Sequence, residues 1–199
     1  MSDKSWIVKA FHTGGPYQKD ADKLKVSADK FGIPIDIEVI KSHGSWNSNT
    51  HYKPQSIINA MAKYPGKHII HIDVDTWFMQ YPGLFDELDC DIGAFYWGGG
   101  GTWCSGTVIV RNCPAILIFL QAWDAALRVD PKQRGDQVAM GKLLEGPGSL
   151  AAPLKLNVVK IPAGYLQGLS KHVPRAEGVI AHDGARKRHV GTKIYTEPK

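Results

Sequence analysis

The sequence predicts an α/β fold with a mostly parallel, mixed sheet flanked by helices, on three observations. Short apolar runs alternate with stretches of helical spacing, the connections between them are short, and the third apolar run, HIIHI, leads straight into Asp73 and Asp75. Alternating strands and helices with short links form parallel sheets through right-handed crossovers. At 199 residues the chain is the size of a single domain, expected to span 1–199, with a core of fair size.

Residues 6–11 read as a first strand. Ala21, Leu24, Ala28 and Phe31 then recur at helical spacing until Gly32 stops the helix. Residues 33–40 alternate as IPIDIEVI, a second strand. Pro54 opens a helix that turns Ile57, Ile58 and Met61 inward, and Tyr64-Pro65-Gly66 ends it. The third strand covers 68–72, a short helix 81–88, and a further strand 91–96, before the glycine run at 98–101. That run lacks the Gly-Lys-Ser/Thr of a P-loop. A strand at 107–110 precedes a long helix with Asn112 as its cap, Pro114 in its first turn, and Ile116, Leu117, Leu120 and Trp123 on its core face. A helix at 136–144, a strand at 156–161 and a basic tail at 184–199 complete the chain.

Hydrophobic residues make up 43% and charged residues 22%, close to the globular average, and no apolar run is long enough to span a bilayer. The start, MSDKSWIVKAF, lacks the apolar core of a signal peptide, so a cytoplasmic protein is the default expectation. Cys90, Cys104 and Cys113 are odd in number and lack C-x-x-C spacing, which argues against disulfides and zinc and for buried, reduced thiols. The net charge of +5 points to anionic ligands, but the excess gathers near the end, in Lys171, Arg175, Arg186, Lys187, Arg188 and Lys193. A local phosphate-binding end fits that distribution better than a nucleic-acid surface, so no nucleic acid partner is expected.

Residues two apart in a strand point the same way, and ligands of open α/β sheets gather at the carboxyl ends of strands. Asp73 and Asp75 are thus placed to converge on one cation, and oxygen ligands favour Mg2+ or Mn2+ over Zn2+. The rival reading is an Asp-rich turn that caps a following helix.

Several segments stand in a telling order: HIIHIDVDTWFMQYPGLFDEL, TWCSGTVIVRN, GDQVAM and IAHDGARK, preceded by FHTGGPYQKDADKLKVSADKFG and SWNSNTHYKPQSIINAM. Together they resemble nucleotide-sugar glycosyltransferases of the Rossmann-like GT-A fold with a DxD motif, above all the glycogenin-like and galactosyltransferase-like retaining branches. The resemblance covers most of the chain. It implies a metal site of Asp73, Asp75 and His182 that holds Mn2+ or Mg2+ against the diphosphate of a sugar nucleotide, with Asp73 also touching the ribose. A divalent cation there stabilises the leaving diphosphate as a Lewis acid.

The same resemblance makes Arg186 and Lys187 the candidates to hold the diphosphate, Arg186 as a bidentate fork or Lys187 as a point charge, and leaves open which of the two binds it. The usual closing pattern continues with Pro-Trp, which this chain lacks. The loop Phe11-His12-Thr13-Gly14-Gly15-Pro16-Tyr17 is then a nucleotide contact: Thr13 lies in it, Gly14 allows close backbone approach and Tyr17 is placed to stack on a base. Lys53 falls where a donor contact is common. Ser105 and Gly106 line the sugar pocket in a segment that has Cys104 where Asn is usual. Asp136 and Gln137 match an Asp-Gln pair beside the sugar, and Asp136 can orient a hydroxyl, act as a base or stabilise an oxocarbenium-like centre.

The function implied is a metal-dependent glycosyltransferase that moves a sugar from a nucleotide diphosphate donor, UDP-linked, to an acceptor hydroxyl on a carbohydrate or other molecule, retention being the favoured outcome. Two alternatives stand beside it. One is a non-catalytic nucleotide-sugar-binding protein; the other is a haloacid dehalogenase-like phosphatase, disfavoured because Thr76 comes one place early and the strand is not the first.

Overall fold

The computed structural model describes residues 4–98, 101–129, 135–166 and 178–182. Arg186, Lys187 and the basic tail lie outside the described residues. The elements are β1 (Trp6–His12), α1 (Gln18–Lys30), β2 (Ile35–Val39), α2 (Trp46–Thr50), α3 (Lys53–Lys63), β3 (His68–Ile72), β4 (Thr76–Phe78), β5 (Ile92–Trp97), β6 (Thr102–Val110), α4 (Pro114–Val129), α5 (Asp136–Glu145), β7 (Val158–Lys160) and β8 (Ile180–His182). Short 3-10 turns occur at Gly15–Tyr17, Gly83–Asp86 and Ala163–Leu166.

A six-stranded sheet has the order β2-β1-β3-β6-β5-β7. β6 is antiparallel to β3 and to β5, while the other pairs are parallel, so every strand but β6 runs the same way. Period-two alternation divides the core. Ile7, Ile69, Val108 and Val110 face α3, α4 and α5, where Ile57, Phe119, Trp123 and Met140 fill the layer. Trp6, Val8, Ile70, Ile72 and Ile109 face α1 and the two-stranded β4-β8 sheet, against Leu24, Phe78 and Ile180. The fold class expected from the sequence is the one observed: a mixed, mostly parallel sheet flanked by helices.

The departures have local causes. A strand, β4, follows the aspartates, so they do not cap a helix. The segment 81–88, punctuated by Pro82 and Gly83, makes only the 3-10 turn Gly83–Asp86. α4 starts at Pro114, so Asn112 lies one residue outside the cap position; its amide donates to the carbonyls of Met61 and Tyr64 at 2.8 and 3.2 Å, closing the C-terminal end of α3. The strand expected at 156–161 forms only over Val158–Lys160.

The strand expected at 107–110 begins at Thr102 and is interrupted by a bulge. Ala94 pairs with Val108 but Phe95 pairs with Cys104, so Ser105, Gly106 and Thr107 stand against a single step of β5. Bulges re-aim side chains beside functional sites. This one turns Ser105 and Gly106 toward the carboxyl end of β3.

Candidate functional site

At the end of β3, the Asp73 amide donates to the Gly106 carbonyl at 3.0 Å, and the Thr76 hydroxyl donates to the Asp73 carbonyl at 2.7 Å. These bonds close a turn that presents both aspartates. β4 then pairs antiparallel with β8, Thr76 opposite His182, which sets the imidazole next to Asp75. His182 Nε2 lies 3.3 Å from Asp73 Oδ2 and 3.3 Å from Asp75 Oδ1. One ligand atom from each of Asp73, Asp75 and His182 falls within 4.8 Å of the others.

A second cluster adjoins the first. Lys53 opens α3 and Asp136 opens α5, so both helices begin at this edge of the sheet. The Lys53 ammonium sits 2.7 Å from Asp136 Oδ2 and 2.8 Å from Asp73 Oδ1, and it donates to the Ser105 carbonyl and hydroxyl at 3.1 Å each. Ser105 in turn donates to Asp136 Oδ2 at 2.6 Å, and the indole of Trp123 donates to the Asp136 carbonyl at 2.9 Å. Side-chain exposure is 4% for Lys53 and 6% for Asp136. The lysine is thus an internal bridge between two carboxylates, and Asp73 divides its oxygens, Oδ1 to Lys53 and Oδ2 to His182.

Burial alone would lower the pKa of Lys53, but the charges of Asp136 and then Asp73 outweigh it and hold the ammonium above its usual range. Burial would raise Asp73; Lys53, then His182 and His71, hold it well below the usual carboxylate range. His182 is pushed down by burial yet raised overall by Asp73 and Asp75. Cys104, beside Ser105, is driven up to about 11 by burial, so its thiol stays protonated.

The donor set fits a hard divalent cation. Two carboxylate oxygens and one imidazole nitrogen suit Mn2+, and also Mg2+, and three protein ligands are fewer than the six that such ions usually take. Gly106 is packed too closely for a side chain. A Cβ there would lie 3.4 Å from Asp73 Oδ2, 3.6 Å from His182 Cδ2 and 2.8 Å from Leu166 Cδ1.

The other expected site residues fall around this edge. Gly14 and Gly15 have φ of 72° and 57°, in the left-handed region that favours glycine, and the Gly14 amide donates to His12 Nδ1 at 3.1 Å. β1 is parallel to β3 and beside it, so this loop, with half-buried Thr13 and Tyr17, leaves the sheet at the Asp73 edge. Gln137, second residue of α5, is half-buried. Sequence reasoning missed His71, which is 1% exposed, stacks on Phe11 at 5.7 Å, and places Nε2 3.8 Å from Asp73 Oδ1. Its one signal was position: two residues before Asp73, on the same side of β3.

No family model matches this chain and no curated protein matches it. Solved structures do. The chain is similar, at 13% identity and a TM-score of 0.63, to a glycosyltransferase involved in the glycosylation of the major capsid of PBCV-1, over 89% of this chain and 92% of that one. It is also similar, at 13% identity, to the glycosyltransferase GlyE of Streptococcus pneumoniae TIGR4, with TM-scores of 0.61 and, for the apo form, 0.62. The chain spans about half of GlyE, 54%, with 89% of its own length. At such identity the likeness shows a fold shared with these solved structures.

Proposed function

We propose that this chain is a metal-dependent glycosyltransferase of GT-A type that transfers a sugar from a UDP-linked donor to an acceptor hydroxyl. The observation that carries the reading is the joint placement of Asp73, Asp75 and His182 beside the Lys53-Asp136-Ser105 cluster, at one edge of a sheet shared in fold with glycosyltransferases.

Asp73, Asp75 and His182 would hold Mn2+ or Mg2+. When bound, the ion neutralises charge that builds on the departing diphosphate, a contribution of several kcal/mol or so. The protein's own groups do the rest. Lys53 locks Asp136 and Asp73 in place, and Gly106, lacking a side chain, lets the β6 bulge close against Asp73 and His182. Asp136, fixed through Oδ2, orients a sugar hydroxyl or stabilises positive charge at the anomeric carbon. The loop with Thr13, Gly14 and Tyr17 takes the nucleotide, and the sequence offers Arg186 or Lys187 for the diphosphate. Retention is favoured by the Asp136-Gln137 pair.

A thermal-shift panel of nucleoside diphosphates and nucleotide sugars, with and without Mn2+, tests the reading, because a ligand that binds the native state raises its stability by mass action. Stabilisation by UDP or a UDP-sugar that requires Mn2+ supports it; no shift with any nucleotide contradicts it. Sugar release from the stabilising donor separates a transferase from a protein that only binds.

A further inference from the structure

We infer that the aromatic end of β5 is the acceptor subsite, and that the acceptor is a carbohydrate whose C–H face stacks on Trp97 and Phe95. The inference rests on the proposed transferase reading and names the substrate class for its second half.

Strand order supplies the placement. Across the sheet the sequence is β2-β1-β3-β6-β5-β7. The glycine loop leaves β1, the metal-capable group sits at the end of β3, and the bulge of β6 brings in Ser105 and Gly106. β5 is next in line. It runs in the same direction as β3, so its last residues emerge at the same edge as Asp73. Those residues are Phe95, Tyr96 and Trp97, followed by the exposed Gly98. A donor that extends from the β1 loop past the metal group to the bulge therefore presents its sugar toward this end of β5.

The side chains fit a sugar ring. Phe95 and Trp97 meet edge to face at 6.2 Å, and Phe95 packs on the core layer that also holds Tyr165 and, from β8, Ile180. All three aromatics stay half-buried rather than sealed into the core. On the other side of the strand, Tyr96 packs against Trp103 at 5.1 Å, with the Lys160 ammonium 3.7 Å from its ring. That packing fixes β5, so the Phe95-Trp97 side is presented on a rigid strand. A half-buried aromatic face offers apolar area with a negative π surface. A pyranose matches it with an apolar face of polarised C–H groups and hydroxyls at its rim; a flexible peptide hydroxyl or a lipid tail does not.

Saturation-transfer NMR with methyl glycosides of glucose, galactose, mannose and N-acetylglucosamine tests the assignment, run beside a thermal-shift reading of UDP with Mn2+ on the same samples. The expected result is saturation of ring C–H protons of at least one glycoside, reduced at least five-fold in Trp97→Ala, with the UDP and Mn2+ shift unchanged in that variant. Equal saturation in both proteins, or none from any glycoside, overturns the subsite. Loss of the UDP shift in the wild type overturns the transferase reading instead, so the two failures are distinct. Trp97→Phe keeps an aromatic face and restores most of the signal if stacking is the cause.

Discussion

Lys53 concentrates the physics of this site in one ammonium. It is 3% exposed and bridges the buried Asp136 and the part-exposed Asp73, which would otherwise be two carboxylates facing each other without a cation between them. Removing one partner of a buried pair typically costs about 3–5 kcal/mol, since the other charges stay buried and uncompensated. Lys53→Met is expected to destabilise the protein by about that amount, read as a lower urea midpoint at unchanged slope. A loss below about 1 kcal/mol would contradict the bridge. Ser105→Ala should cost less, on the order of 1–3 kcal/mol, for the hydrogen bonds to Lys53 and Asp136. The aspartate pair was legible in the sequence because period-two geometry acts within five residues of strand. Lys53 was legible only as a donor contact and not as an internal bridge, because a lysine at a helix start is usually exposed, and what buries this one comes from Asp73, Ser105 and Asp136 in three separate segments.

At the scale of elements the bulge in β6 decides the shape of the site. It allows Gly106 to touch the Asp73 amide while Ser105 reaches Lys53. A Cβ at Gly106 would meet Leu166 Cδ1 at 2.8 Å, and the tip of a leucine can turn aside. Gly106→Ala is therefore expected to cost about 1 kcal/mol, while Gly106→Val, crowding Asp73 and His182 as well, should cost about 3 kcal/mol and weaken Mn2+ binding at least ten-fold. Chemical denaturation and a Mn2+ titration read the two effects; equal Mn2+ affinity in the valine variant would contradict the close approach. The long elements were legible from periodicity, with ends shifted by a few residues. β4 and β8 were not. Each has three residues, too few to show a period, and each exists through pairing with a segment about a hundred residues away in the chain. The His182 assignment rested on resemblance, and the β4-β8 register is the physical arrangement that sets it beside Asp75.

For the whole molecule, histidines shifted in opposite directions shape stability against pH. His182 is raised above 6.5 by Asp73 and Asp75 in spite of burial, so its stabilisation is complete below 6.5 and is lost as pH rises through its folded value. His12, His68 and His71 are lowered, mainly by burial, so their contribution is complete above 6.5 and is lost as pH falls through their folded values. The metal-free protein should thus melt highest near pH 6.5, and saturating Mn2+, which displaces the His182 proton, should remove the decline on the alkaline side. A melting temperature that rises steadily from pH 6.5 to 8.5 without metal would contradict the His182 environment. The alternation of strands and helices made a mixed, mostly parallel sheet readable, but not which strand reverses, since strand direction follows from pairing across the fold and leaves little trace in local pattern. The central claim is that Asp73, Asp75 and His182 hold a divalent cation for a nucleotide diphosphate. Calorimetric titration of UDP into the wild type and Asp75→Ala, each with and without Mn2+, tests it most directly. The account predicts UDP binding that depends on Mn2+ in the wild type and falls at least ten-fold in Asp75→Ala, with the variant still melting cooperatively without metal; UDP binding of equal strength in both proteins would contradict it.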